Sequence, residues 1–295
     1  MLGHDAVLTP RVACVIVNWN NWQDTAKCLI SLREQSYKNL QVIVVDNGSS
    51  NDSVVRLRTN HPWAMIVENG YNAGFSKACN VGAALALEMG TDLVWLLNND
   101  IVAPSDTTAK LVRKALENPQ AGIIGAVLYY MHKSESVQAW GGGNINLWTG
   151  YSTHFIKPEK FGPNGYITFA SAMIRREVFE KLGGLYEGGF MYFEDTDFGL
   201  RTQRAGWQLC VAEDTAILHK EGGSFDGKRS PVLERIVTMS GLSFLKRHAI
   251  FPPLAMVLFL GMKIGKRAML QEWAALGAVL RGTRDWCTKK SVVSK

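Results

Sequence analysis

Paired cysteines are missing from this 295-residue chain: Cys14, Cys28, Cys79, Cys210 and Cys287 are scattered, odd in number and never spaced C-x-x-C. That excludes a disulfide scaffold and a cysteine zinc site, and it fits a reducing compartment such as the cytoplasm. A long apolar run is lacking too. The longest uncharged apolar stretch, residues 249–262, contains Pro252 and Pro253 and falls short of the roughly 20 residues that span a bilayer. The opening MLGHDAVLTP has neither the basic start nor the apolar core of a signal peptide. Prolines number only 9 and no repeat or low-complexity linker occurs, while 47% of residues are hydrophobic. Collagen-like and disordered classes are therefore excluded, and a sizeable core is expected.

The net charge of +6 is unevenly spread. Residues 1–219 hold 18 basic and 21 acidic side chains, whereas residues 220–295 hold 14 and 5. The positive character belongs to the C-terminal quarter, where any basic partner surface is to be sought.

Patterning predicts an α/β fold. VACVIVN, LQVIVVD, residues 64–67, DLVWLL and AGIIGAVLYY read as buried strands, each closed by polar or turn residues. Helical spacing predicts helices over 22–34, 52–59, 74–89 and from Pro104 to about 118. Four alternations with short connections predict a mostly parallel sheet flanked by helices. Beyond residue 130 the alternation breaks down. A Gly-rich stretch, Trp140 to Gly150, and an irregular region to about Gly165 precede a strand YITFASAMI and a helix RREVFEKL. One domain over 1–225 with a helical extension over 226–295 is the expected division.

Three constellations carry chemistry. Asn98, Asn99 and Asp100 end a very apolar strand, where a carboxylate facing a cleft suits a hard divalent cation; a polar strand end capping the next helix explains them as well. Glu194, Asp195 and Asp197 follow the aromatic run FMYF. Asp197 and Arg201 are i, i+4 partners and read as structural. Glu194 and Asp195 read either as a general base among aromatics or as an ordinary helix N-terminal acidic cluster. His219 ends a short apolar strand, as a metal ligand or a packed histidine.

With VNWNN, VVDNGSSNDS, NAGFSKACNVG, LLNND and FMYFEDTDFGLR in this order, residues 11–225 resemble the family 2 glycosyltransferases. Within them the chain is most similar to the rhamnosyltransferase-like branch. The resemblance implies the GT-A fold and an inverting, divalent-cation-dependent transfer from a nucleotide-diphosphate sugar. It implies nucleotide-sugar contacts at Val17, Asn18, Trp19, Asp46, Asn72, Gly74, Lys77, Asn98 and Asn99. Asp46 would meet the pyrimidine edge, Trp19 would lie against the base, and Lys77 would reach the diphosphate. Asn98 to Asp100 stand in place of the family's D-x-D motif, so Asp100 becomes the expected metal ligand, with His219 second and Asp195 the catalytic base. The double asparagine removes two charges and leaves the choice between Mg2+ and Mn2+ open. Gly142, Ser171 and Glu194 fall where similar proteins face the acceptor, although a backbone turn and a buried strand explain the first two equally well.

The expected donor is dTDP-L-rhamnose, with a UDP-hexose as the alternative, and the expected acceptor a glycan or lipid-linked glycan of a surface polysaccharide. A non-catalytic nucleotide-sugar or glycan-binding protein of the same fold is the alternative from another class; intact Asp100, Asp195 and His219 argue against it. In the C-terminal quarter, Lys246, Arg247, His248, Lys263, Lys266 and Arg267 flank apolar residues. Such a segment suits peripheral attachment at the cytoplasmic face of the inner membrane. It equally suits an intramolecular helical cap with a solvated face. Nucleic acid is not expected as a partner, because no recognised binding module accompanies the charge.

Overall fold

The computed structural model describes residues 9–220 and 230–290. Gly222, Gly223, Arg229 and the expected 225/226 division lie outside the described residues.

The elements follow the predicted alternation through residue 130. In order they are β1 (Val12–Asn18), α1 (Trp22–Arg33), β2 (Leu40–Asp46), α2 (Ser53–Asn60), β3 (Met65–Glu68), α3 (Phe75–Glu88) and β4 (Leu93–Leu97). Then come β5 (Ile101–Val102), α4 (Thr107–Glu117) and β6 (Ala121–Tyr130). β7 (Lys133–Trp140) follows, and the stretch expected to be Gly-rich and irregular holds β8 (Gly142–Ile145) and β9 (Ser152–His154). YITFASAMI is not one strand but two, β10 (Gly165–Ile167) and β11 (Ser171–Arg175), broken by a turn at residues 168–170. The chain continues through α5 (Arg176–Leu182), α6 (Glu194–Arg204), β12 (Gln208–His219), α7 (Pro231–His248), α8 (Pro252–Met269) and α9 (Trp273–Cys287).

Nine strands form one sheet in the order β3-β2-β1-β4-β11-β6-β12-β5, with β7 beside β6. The β1–β2, β1–β4, β2–β3 and β6–β12 pairs are parallel, and β11 enters antiparallel between β4 and β6. A smaller sheet has the order β10-β8-β9. One face of the large sheet buries Ile16, Val44 and Trp95 with Leu29, Leu57 and Leu111 of α1, α2 and α4. The other buries Val15, Val45 and Leu96 with Ala83 of α3, Val178 of α5 and Phe198 of α6. Burial on both faces is why these strands read as continuous apolar runs. Gly82 lets α3 settle onto the sheet, since a Cβ there would strike Val15 Cγ1.

The C-terminal helices form a third apolar cluster. Leu242, Phe244 and Leu245 of α7 and Phe259 of α8 pack with Ile145, Leu147 and Leu200. Helix α7 starts sharply: the Ser230 Oγ accepts from the Leu233 N–H at 3.2 Å and Pro231 takes the first turn. No helix among the described residues is long and apolar enough to cross a membrane.

Candidate active site

The carboxyl ends of the parallel strands open onto a cavity of about 1020 Å³, where open α/β sheets place ligands. Val17 and Trp19 after β1, Asn47 after β2, Asn72 before α3, Asn98, Asn99 and Asp100 after β4, Glu194 and Asp195 on α6, and His219 ending β12 all line it. Three constellations spread over more than a hundred residues of sequence thus share one space.

Asp100 and His219 meet because β5 pairs antiparallel with the end of β12, setting Ile101 opposite His219. The Asp100 Oδ1 lies 3.2 Å from the His219 Nε2, and both side chains are largely buried. Gln138 of β7, itself buried, places its Oε1 2.7 Å from the His219 Nδ1. An amide oxygen only accepts, so it holds the proton on Nδ1 and leaves Nε2 with its lone pair toward Asp100, while the Asn98 Nδ2 approaches the same nitrogen at 3.4 Å. A bare imidazole nitrogen beside a carboxylate oxygen is a donor pair suited to a divalent cation. The described residues contain no group of three or more His, Cys, Asp or Glu side chains that would hold a metal. Asp100 and His219 would supply two protein donors to such a cation, and its other ligands would have to come from outside the protein. Gln138 was not legible as a partner: it sits alone in the polar strand KSESVQAW, and only the β6–β7 pairing brings it to His219.

Glu194 and Asp195 open α6 directly after two residues in the left-handed region, Tyr192 (φ 74°) and Phe193 (φ 69°). Neither is glycine, so the turn that aims both acids at the cavity carries backbone strain. It is held from the side: Gly74 (φ 88°) lies so close to the Phe190 carbonyl that a Cβ would collide, and the Phe75 N–H donates to that oxygen at 2.9 Å. The Thr196 N–H donates to the Asp195 Oδ1 at 2.7 Å. Burial pushes the carboxyls of Glu194 and Asp195 up, and for Glu194 the Asp195 charge adds to it. Asp197 turns the other way, into the protein, and Arg201 Nε donates to it at 2.9 Å, as the i, i+4 spacing predicts.

The other residues named from the sequence divide into two groups. Trp19 is 41% exposed at the cavity, available for stacking. Asn18 and Asp46 are buried and spend their polar atoms on one another: Asn18 Nδ2 donates to Asp46 Oδ1 at 2.8 Å, and Ser49 donates to the same carboxylate through N–H and Oγ–H. They brace the turn after β2, and Asn47 is the residue that reaches the cavity wall. The Asn47 Nδ2 donates to Asn72 Oδ1 at 2.9 Å, and its Oδ1 accepts from the Ala73 N–H at 3.0 Å, so it shapes the N-x-G turn. Lys77 donates to the Tyr71 hydroxyl at 3.0 Å and is not a lining residue. Gly142 sits within the small sheet, where a Cβ would strike the Tyr166 carbonyl, and Ser171 accepts from Trp95 Nε1 at 3.0 Å deep in the large one. In their place Thr168, Phe169 and Ala170, the turn that splits the expected strand, face the cavity.

Comparisons with known proteins identify the family and the fold. The profile described as Glycosyl transferase family 2 matches residues 13–183. The chain is 25% identical over 241 residues to an N-acetylglucosaminyl-diphospho-decaprenol L-rhamnosyltransferase of Mycobacterium tuberculosis, covering 74% of this chain and 78% of that one. It is 25% identical over 219 residues to the dTDP-rhamnosyl transferase RfbF of Shigella flexneri, covering 73% and 71%. Its fold superposes on the mannosyltransferase PcManGT of Pyrobaculum calidifontis, a complex with GDP-Man and Mn2+. The TM-score is 0.60 at 18% identity, covering 97% of this chain and 77% of that one.

Proposed function

The chain belongs to glycosyltransferase family 2 and has the GT-A fold, and from that premise we propose an inverting transfer of L-rhamnose from dTDP-rhamnose to a lipid-linked glycan acceptor. The observation that carries this reading is the shared cavity, with the Asp100–His219 donor pair and the Asp195 carboxylate on its walls. Relatives named for rhamnosyl transfer support the choice of donor.

Trp19 offers its face to the base, and the Asn47–Asn72 turn supports the ribose side. Asp100 and His219 would hold a divalent cation. When bound, such an ion neutralises charge on the departing diphosphate. Asp195 takes the acceptor hydroxyl proton as that oxygen attacks the anomeric carbon from the face opposite the leaving group. The C1–O bond to the diphosphate breaks as the new glycosidic bond forms, inverting the anomeric centre with no covalent enzyme intermediate. A screen of dTDP-, UDP- and GDP-sugars should show turnover with dTDP-rhamnose; turnover confined to a UDP-hexose would replace the donor. EDTA should abolish transfer and Mg2+ or Mn2+ restore it, whereas full activity in EDTA would remove the cation from the reading.

We further infer that the acceptor is met at a membrane, and the exposed face of α8 supports this reading. Ile250 and Phe251 before and at the cap of α8, then Leu254, Val257 and Leu258, are all exposed, at intervals that repeat along one helical face. Basic side chains follow in the last turn of α8. An apolar helix face bordered by cations suits an anionic leaflet, with the apolar residues inserted and the cations at the headgroups. The full chain should therefore float with vesicles containing phosphatidylglycerol. Val257→Glu with Leu258→Glu should reduce the bound fraction at least tenfold; unchanged flotation, or a loss of self-association instead, would assign that face elsewhere.

A further inference from the structure

Helix α7 grips the turn that carries the two acids. Ser240, Phe244 and His248 recur at i, i+4 and i+8 along it, which puts them on one face of the helix. In the same order they meet Met191, Phe193 and Asp197, so the contacts fall on both sides of Glu194 and Asp195. The Ser240 Oγ donates to the Met191 carbonyl at 2.7 Å. The Phe193 ring stacks on Phe244, with centroids 5.3 Å apart and planes 30° from parallel. The His248 Nε2 donates to the Asp197 Oδ1 at 2.6 Å. Ser240, Phe244 and His248 are all buried. The helix is itself backed by α8: Phe259 comes so close to Gly241 that a Cβ there would strike its ring.

The turn needs such a grip. Tyr192 and Phe193 stand in the left-handed region without being glycine, a conformation that persists only where the surroundings over-determine it. The body of the protein secures its start, through the Phe75 N–H on the Phe190 carbonyl. The next carbonyl, that of Met191, and the Phe193 ring are secured from α7. We propose that this ridge of α7 fixes where the Asp195 carboxylate stands, with Ser240 as a positioning residue acting through the Met191 carbonyl. The proposal rests on Asp195 as the base, and it makes α7 part of the catalytic apparatus instead of an appended helix. A base must lie within hydrogen-bond reach of the hydroxyl it deprotonates, and a displacement of about 1 Å can cost about a hundredfold in rate. Without the Ser240 hydroxyl, the carbonyl next to Tyr192 is released and both left-handed residues can relax. That carries Asp195 out of line while Trp19, Asp100 and His219 stay where they are.

The test is Ser240→Ala in the full chain, read by steady-state kinetics and by amide hydrogen exchange. It should lower kcat about tenfold, while KM for the donor and the affinity for dTDP stay within about twofold. Exchange over residues 191–196 should quicken about tenfold, and exchange in β1 and α1 should not change. Ser240→Thr restores the hydroxyl and should recover most of both. Thr238→Ala is the matched control. Two residues away and so on the opposite side of α7, Thr238 is equally buried, bonds the Glu234 carbonyl of its own helix and packs at Gly282 of α9. Its loss should leave kcat within about twofold. A kcat unchanged in Ser240→Ala would overturn the proposal. An equal fall in Thr238→Ala, or exchange quickened uniformly along the chain, would overturn it in favour of general destabilisation. If Asp195→Asn keeps full transfer, the base reading fails, while exchange over residues 191–196 still decides whether the ridge holds the turn.

Discussion

Asp195→Asn should lower kcat about 1,000-fold, roughly 4 kcal/mol of transition-state stabilisation, while dTDP binding stays within twofold of wild type. The substitution keeps the size of the side chain and the Thr196 N–H bond to its oxygen, and removes only the capacity to take a proton. Burial pushes the Asp195 carboxyl up to about 6. A base must be deprotonated to act, so kcat/KM should fall as pH drops through that value and level off above it. Glu194 is raised further, by burial and then by the charge of its neighbour, and so holds its proton near neutrality while Asp195 carries the charge. Glu194→Gln, which mimics that protonated state, should retain at least a tenth of the activity and leave the acid limb where it is. Transfer above a tenth of wild type in Asp195→Asn, or total loss confined to Glu194→Gln, would reassign the base. Product stereochemistry by NMR would separately test inversion.

Asp197→Ala should cost about 3 kcal/mol of stability and lower Tm by roughly 6 °C, the largest structural penalty expected near the site. Asp197 is fully buried, two residues from the proposed base. It accepts from Arg201 Nε at 2.9 Å, from His248 Nε2 at 2.6 Å and from Arg247. Arg204 donates to the His248 Nδ1 at 2.9 Å, which leaves the His248 proton on Nε2 for Asp197. Removing the carboxylate strands these donors around a hole between α6 and α7. Burial alone would raise the Asp197 carboxyl, but the His248 bond and the Arg201 and Arg247 charges hold it below the usual range. A depressed folded-state value means that its contribution is present at neutral pH and is lost as pH falls through that value. The stability difference between wild type and Asp197→Ala should therefore shrink in acid; denaturant midpoints at neutral and acidic pH measure it. A midpoint unchanged by the substitution at neutral pH would show that the network contributes nothing net.

The alternation of strands and helices from Val12 to Tyr130 was legible in the sequence because its causes are local. Strands buried on both faces must be continuously apolar, and helices covering them must repeat at 3.6 residues, whatever their distant neighbours do. The i, i+4 pairing of Asp197 with Arg201 was legible for the same reason. Asp100, Asp195 and His219 could be singled out because a carboxylate or imidazole directly after an apolar strand or aromatic run is conspicuous.

What the pattern did not contain is pairing between distant segments. The small β10-β8-β9 sheet looked irregular because its strands are only three or four residues long and glycine-rich, too short to show a period. The break at residues 168–170 moved the cavity wall from Ser171 to Thr168, Phe169 and Ala170, and nothing in an unbroken apolar run marks such a turn. Asp46 and Asn47 are adjacent in the chain, yet only the packing against Asn18 and Ser49 decides that the first is a brace and the second a lining residue. The β5–β12 pairing joined Asp100 to His219, and β7 added Gln138. The positive C-terminal quarter could be read from sequence as a charge imbalance. Its division into an outward apolar face and an inward face lining the cavity was decided by α7 and α8 docking on the body, because which side of a helix meets water depends on what covers the other.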